Sequence, residues 1–568
     1  MVLAAESSGR RQDHVLLVAL CAIVALLSLL PLARLVLEAL APSGVPSLAA
    51  LEATLSSSIT WTATLNSLET AIGGTLIAVL LGSVVALVVA LTDIRARNAF
   101  VLCFVLPLMI APQVTALAWL QVVGPASPLL KLIGLAPPIG TRNPLYSAEG
   151  IILLLGIQYA PLVFLTLRAS LRSLPRELIE AGLAAGASRF TILRTIILPL
   201  MTPGLVAGVA LAFVSSVGNF GIPAFLGIPG RFVVLPTLIY QRLSGLGPSV
   251  LSEVAVLSML IGVIAMVGIL LQDIMLRRRD FRITTTSIAA RPFALGPWRL
   301  PVEIALWTIA LIVLVLPMLG LFLTSLVPAY GVPLNATTAT LANYAFVLFE
   351  HEGARRAFAN SFALSATAAV VIMLLCVPLS YFLVWRRSPP LRALNLIVEL
   401  PYALPGVVLA IAAILIFLKP LPILGFGLYG TVWIILFAYL ARFLVLGVRP
   451  TVSGYHQIDR ALEEAAQVAG AGLLFRLRTI IFPLVAPAAT AGALLVFLTA
   501  FNELTVSALL WSSGSETLGV VVFSFEQGGD SNYAAAIAVL TVLVTLALML
   551  STLLMAKRIP AGVLPWRD

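Results

Sequence analysis

EAGLAAGASRFTILRTIILPLMTP, residues 180–203, recurs without gaps half a chain later as EAAQVAGAGLLFRLRTIIFPLVAP, residues 464–487. Glu180, Ala181, Gly186, Arg194, Thr195, Pro199 and Pro203 meet Glu464, Ala465, Gly470, Arg478, Thr479, Pro483 and Pro487. These are mostly not the abundant apolar residue types of the chain, so composition alone does not place them twice at one spacing. The chain is an internal duplication.

Composition sets the surroundings of that duplication. Of 568 residues, 61% are hydrophobic and 10% charged, and the mean hydropathy is +1.09. That leaves too little polar surface for a water-soluble globule. A helix needs roughly 20 apolar residues to cross about 30 Å of hydrocarbon. Such runs are read at 15–40, 67–92, 99–123, 149–170, 198–222 and 251–276, then at 301–326, 361–385, 395–418, 429–448, 483–511 and 534–556. A β-barrel would show alternating segments of about ten residues, and the continuous run 76–91 excludes it.

Basic residues cluster at Arg10/Arg11, Arg95/Arg97, Arg168 to Arg194, Arg277 to Arg279, Arg386/Arg387/Arg392, Arg442 to Arg478 and Lys557/Arg558, all on one side of these spans. By the positive-inside rule that side is cytoplasmic, and both termini lie there. The net charge of +10 then follows from topology and from an arginine-rich face toward anionic membrane lipid, and implies no nucleic-acid partner. Arg10 and Arg11 ahead of an apolar run look like a secretory signal. The corresponding span 301–326 lies mid-chain, however, so the first span is expected to be retained.

Six spans per half is an even number, so the second copy re-enters the membrane in the orientation of the first. The expected fold class is therefore all-α, about twelve transmembrane helices in two parallel six-helix repeats about a pseudo-twofold axis along the membrane normal, and not an inverted repeat. The domains are read as 1–276 with a loop at 176–199, a Thr/Ser/Pro/Gly-containing linker 277–299, and 300–568 with a loop at 460–483. Asn66-Ser67 pairs with Asn360-Ser361, and Pro107 and Pro112 pair with Pro401 and Pro405.

Each copy of the repeated stretch reads as helix, glycine-centred turn, second helix. Gly186 permits a sharp turn, and a short helix flanked by Arg189 and Arg194, or by Arg476 and Arg478, suits docking in a partner's groove. These residues resemble the EAA loop of the membrane-spanning subunits of type I ABC importers: Glu-Ala-Ala, three residues, Gly, nine residues, Ile, any residue, Leu-Pro. Here it reads Glu180-Ala181-Gly182, Gly186, Ile196, Leu198-Pro199, and Glu464-Ala465-Ala466, Gly470, Ile480, Phe482-Pro483. Gly182 and Phe482 are mild departures. Two fused units, with Gly218-Asn219-Phe220-Gly221-Ile222-Pro223 after the first motif, look most like the iron(III) permease branch, whose relatives include thiamine, polyamine and phosphonate permeases. The resemblance implies a permease of the bacterial inner membrane that imports a solute delivered by a periplasmic or lipoprotein binding protein. It implies two copies of an ABC ATPase gripping the loops, with Glu180, Ala181, Gly186, Pro199, Glu464, Ala465, Gly470 and Pro483 as coupling residues.

The chain's own residues place ATP hydrolysis elsewhere. A P-loop needs lysine between glycine and Ser or Thr, whereas Lys131, Lys419 and Lys557 are followed by Leu, Pro and Arg. No cofactor is expected. His14, His351 and His456 lie far apart, and no Cys/His cluster has metal-ligand spacing. Ionisable residues at bilayer depth are pathway candidates. Glu503 follows Pro483 by about 30 Å of helix, and Asn219 holds the same place after Pro199. The pair is read either as lining the translocation path or, for Glu503, as an interfacial anchor. Glu69, Glu399, Gln158 and Tyr159 are weaker candidates, with Glu399 read as an ion pair of Arg392. A duplicated ion-coupled secondary transporter is the alternative function, but it leaves the repeated loop unexplained. A membrane enzyme would need a cluster of catalytic residues that the sequence does not display.

Overall fold

The computed structural model describes residues 2–138, 140–172, 174–245, 249–277, 293–386, 389–420, 425 and 427–555. Residues 278–292 of the linker lie outside these, as do Arg387, Lys557 and Arg558.

Among the described residues the chain is helical, without strands. The first half contains α1 (Asp13–Leu40), α2 (Ser58–Leu91), α3 (Arg97–Met109), α4 (Pro112–Val123), α5 (Ala148–Arg172), α6 (Arg176–Ala184), α7 (Arg189–Val217), α8 (Gly221–Gly230), α9 (Leu235–Leu243) and α10 (Val250–Leu276). The second repeats them in order as α11 (Gly296–Ser325), α12 (Glu352–Trp385), α13 (Pro389–Ala403), α14 (Gly406–Phe417), α15 (Val432–Tyr455), α16 (Ala461–Val468), α17 (Leu473–Phe501), α18 (Ser507–Leu510), α19 (Leu518–Gly528) and α20 (Ser531–Leu550). Among the described residues ten single helices are long and apolar enough to cross a membrane. Leu76 and Leu80 of α2 are 65% and 70% exposed, as a lipid-facing stripe requires.

Two expectations need correction. The third spans, 99–123 and 395–418, are not continuous: α3 and α4 meet at 102°, and α13 and α14 at 101°. Proline disfavours the helical conformation of the residue before it, and Ala111, before Pro112, is extended at ψ 138°. The fifth spans, 198–222 and 483–511, also stop early, at Val217 and Phe501. The chain then forms shorter elements in each half, α8–α9 bent by 77° in the first and α18–α19 in the second.

The repeated Asn-Ser pairs secure those elements. Asn66 donates to the Val233 carbonyl at 2.9 Å and Ser67 Oγ accepts from the Leu235 amide at 2.7 Å. In the second half Asn360 donates to Glu516 O at 3.0 Å and Ser361 Oγ accepts from Leu518 N at 2.9 Å. A further repeat emerges at the first spans, where a widened π-turn closes two residues before a proline: Ala25–Leu29 before Pro31, and Leu311–Val315 before Pro317. The same turn precedes Pro199 and Pro483. It relieves the clash of the proline ring with the carbonyl four residues earlier.

The halves interlock by exchanging their first helices. α1 reaches α14 through Arg34 Nη2 on Leu415 O at 3.4 Å, and Asp13 pairs with Arg386. α11 packs on the first half, where Trp307 meets Phe100 edge-on at 5.8 Å and Thr324 donates to Gln121 at 3.4 Å. The chain enters α11 moored at Asp93, which accepts from Leu295 N at 2.9 Å and pairs with Arg299 at 2.9 Å. The Leu295 amide, helped by Arg299, holds the Asp93 carboxyl below its ordinary value.

Candidate functional site

The two repeated loops fold alike. α6 closes on Gly186 at φ +77°, with Ala187 N on Gly182 O at 3.0 Å and Gly186 N on Leu183 O at 3.0 Å. α16 closes on Gly470 at φ +82°, with Ala471 N on Ala466 O and Gly470 N on Gln467 O, both at 3.0 Å. This is a Schellman closure, which needs a left-handed residue and so favours glycine. Glu180, Ala181, Pro199, Glu464, Ala465 and Pro483 are all exposed, and so are apolar side chains, Phe190 at 71% and Val468 at 90%. Both loops lie on the face where α5 and α15 end.

Beneath the loops the copies differ. Ile179 and Ile192 are buried under α6. At the matching positions under α16 stand Glu463 and Arg476, paired at 2.5 Å and each 5% exposed, with Tyr381 Oη donating to Glu463 at 3.0 Å.

The helix breaks meet at the boundary between the halves. Gln158 bridges the first break, donating to Pro107 O at 3.1 Å and Ile110 O at 3.2 Å while accepting from Thr115. Gln113, just past it, donates to Asn502 O at the end of α17 at 2.9 Å. Reciprocally, Pro405 at the second break packs against Gly218 at the end of α7, where an added Cβ would lie 3.1 Å from it. Between these contacts lies a cavity of about 400 Å³ lined from both halves. Its lining runs from the breaks toward the loop face, to Arg449 on α15 and Ile269 on α10.

Asn219 and Glu503 line this one cavity, 5% and 8% exposed. Each also caps the next helix. Asn219 Oδ1 accepts from Ile222 N at 2.9 Å, and its Nδ2 donates to Tyr159 Oη at 2.7 Å. Glu503 accepts from Val506 N at 2.7 Å and Ser507 N at 3.1 Å. Tyr159 and Glu399 join the lining, whereas Glu69 is exposed on α2. Glu399 pairs with Arg449 at 3.5 Å, in place of the expected Arg392.

Arg442, grouped by sequence with the basic residues outside the membrane, sits instead in the middle of α15. Its Nη1 lies 3.8 Å from Glu503 Oε1. It fits because residue 406 is glycine: a Cβ there would fall 1.4 Å from Nη1. Arg442 occupies the position that Gln158 holds in the first half, a difference readable by aligning the copies.

Beyond the cavity, away from the loops, aromatic rings close the boundary. Phe523 of α19 contacts Phe220, Phe225 and Tyr240 at 5.9, 5.6 and 5.8 Å between ring centroids. Leu235 and Leu518 hold matching positions on Ser67 and Ser361, so Tyr240 and Phe523, each five residues further on, are also counterparts. The pseudo-twofold axis passes between them.

The model for the binding-protein-dependent transport system inner membrane component matches residues 78–285 and 377–564. A probable ABC transporter permease of Sinorhizobium fredii is 30% identical over 482 residues, 83% of this chain and 82% of that protein. The ferric transport system permease of Actinobacillus pleuropneumoniae is 26% identical over 465 residues, 80% of this chain and 65% of that protein. A putative ferric transport system permease of Haemophilus influenzae is 26% identical over 436 residues, 75% and 66%. The chain spans about two thirds of the length of these two ferric permeases. With the family matched twice along a helical, duplicated chain, this protein belongs to the binding-protein-dependent inner-membrane permeases of ABC importers, as a multi-pass transport subunit with two permease units fused.

Proposed function

We propose that the chain forms the path by which ferric iron crosses the inner membrane, driven by ATP hydrolysis in a separate protein. The observation that carries this reading is the pair of identically closed, exposed loop helices on one face, with a cavity between the halves closed by aromatic rings on the other. Two copies of an ABC ATPase grip α6 and α16 on the cytoplasmic side, where both termini also lie. A periplasmic or lipoprotein solute-binding protein delivers cargo to the opposite side. Residues 1–276 and 300–568 act as the two permease units, joined by 277–299. Iron is favoured because ferric permeases match across three quarters or more of the chain.

The test is to purify the chain with its ATPase and ask which loaded binding protein stimulates hydrolysis. Stimulation by the ferric-loaded protein is expected. Stimulation by a thiamine-, polyamine- or phosphonate-loaded one would reassign the solute, and a chain that recruits no ATPase would overturn the coupling assignment.

Asn219 and Glu503 are proposed to line the path. Glu503→Leu strips the acceptor from two buried amides, at about 1–3 kcal/mol each, and removes the counter-ion of Arg442. Uptake is expected to fall severalfold with ATPase assembly unchanged, because the loops lie about 30 Å away along α17. Cysteines placed at 219 and 503 should react with an aqueous thiol reagent from the periplasmic side more readily when nucleotide is bound. Unchanged uptake together with state-independent labelling would reduce Glu503 to a helix cap.

A further inference from the structure

Arg442 is a charge in the middle of a spanning helix, a position that is costly and is retained where the charge has a task. Its surroundings leave it incompletely satisfied. Glu503 Oε1, at 3.8 Å, is beyond hydrogen-bond distance, and both Glu503 oxygens are engaged by the Val506 and Ser507 amides. Among the described residues Arg442 Nη1 has no hydrogen-bond acceptor. Glu399, the other carboxylate of the cavity, is paired with Arg449. Tyr159 supplies a second donor. Its hydroxyl oxygen accepts from Asn219, which leaves the phenol proton to be given away. Both side chains line the cavity, whose volume of about 400 Å³ falls in the range of small-molecule sites.

Two donors with spare capacity, one of them a guanidinium whose planar fork matches carboxylate and phosphate oxygens, describe a receptor for an oxyanion. Arg449 is neutralised by Glu399, and a bare trivalent cation would offer nothing to the spare donors of Arg442 and Tyr159, whereas the same cation capped by carboxylate or phosphate oxygens would present the groups that Arg442 binds. We propose that the cavity holds an oxyanion group of the passing solute between Arg442 and Tyr159, so that ferric iron crosses as an anion-capped complex. The identity of the metal rests on the function proposed for the chain; the oxyanion site does not. The site is one-sided, because the matching Gln158 spends its donors on the first helix break. One anion per chain is therefore expected.

The test uses the complete complex with its ATPase in lipid nanodiscs, probed with radiolabelled inorganic phosphate and with citrate by equilibrium dialysis. The wild type should bind one of the two saturably, with one site per chain, and the probe that binds tells phosphate from carboxylate. Arg442→Gln, which installs the residue of the first half, should weaken that binding at least tenfold. Gly406→Ala should do the same by displacing the guanidinium while keeping its charge, and Arg442→Lys should fall between. Retained ATPase in each preparation shows that the variants are folded. Absence of saturable binding of either probe, or binding unchanged in Arg442→Gln, would overturn the proposal. Uptake of iron-55 with citrate or phosphate, measured in proteoliposomes with the binding protein present, separates the two readings. Full uptake by Arg442→Gln would reject the anion-capped passage and keep iron. Arg442-dependent anion binding without iron uptake by any form would keep the site and reject iron.

Discussion

Replacing Gly186 and Gly470 together by tryptophan is expected to abolish uptake while the chain still inserts in the membrane. Both glycines are left-handed, at φ +77° and +82°, a conformation that costs an L-residue about 1–2 kcal/mol. That strain is small beside the stability of a bundle of spanning helices. Among the described residues a Cβ at either position meets nothing within 4 Å, which leaves room for the side chain. The indole therefore projects from the end of the helix proposed to dock, into the space that the proposed partner would fill. Either single replacement should do less harm, because one loop still engages. Normal uptake by the double variant, measured with confirmed membrane insertion, would remove α6 and α16 from the coupling machinery.

Arg476→Ile is expected to be among the most damaging single substitutions in the second half, and Glu463→Ile in the same chain is expected to undo much of the damage. Taking away one member of a buried pair strands the other, at a cost of about 3–5 kcal/mol, whereas replacing both by apolar residues is often neutral. The first half has already made that replacement, with Ile179 and Ile192 buried at the same positions. Tyr381 retains an exit for its hydroxyl only if it rotates, so recovery should be incomplete, and Tyr381→Phe should complete it. Thermal unfolding of the purified chain and its ATPase retention give the readout. A double variant no better than Arg476→Ile alone would show that the pair does more than hold α16 in place.

The duplication, the spans and the loops are legible in the sequence because each is written in residues whose physics is local: apolar runs, glycine turns, prolines at fixed spacing. The breaks at Pro112 and Pro405 are half legible. The prolines are visible as a repeat, but an apolar run on both sides reads as one span until the backbone is seen to turn. Gly221–Gly230 and Leu518–Gly528 are hidden for a similar reason, since their apolar composition blends with the spans beside them. Arg442 escapes a linear reading because an arginine six residues from the end of a presumed span looks interfacial. The features that admit it are distant in sequence, the missing side chain of Gly406 and the carboxylate of Glu503. One signal for it does exist: setting the copies side by side shows isoleucine twice exchanged for Glu463 and Arg476, and Gln158 exchanged for Arg442.

That the solute passes between the halves, along the axis closed by Tyr240 and Phe523, is tested most directly by cross-linking those two positions. Their ring centroids lie 5.8 Å apart, one residue from each half, so cysteines placed at 240 and 523 should be bridged by a short, reducible bis-methanethiosulfonate reagent when the transporter rests without nucleotide. The account predicts that this cross-link stops uptake and that a reductant restores it, with ATPase still bound to the complex throughout. A fully cross-linked transporter that carries solute at the uncross-linked rate would contradict it.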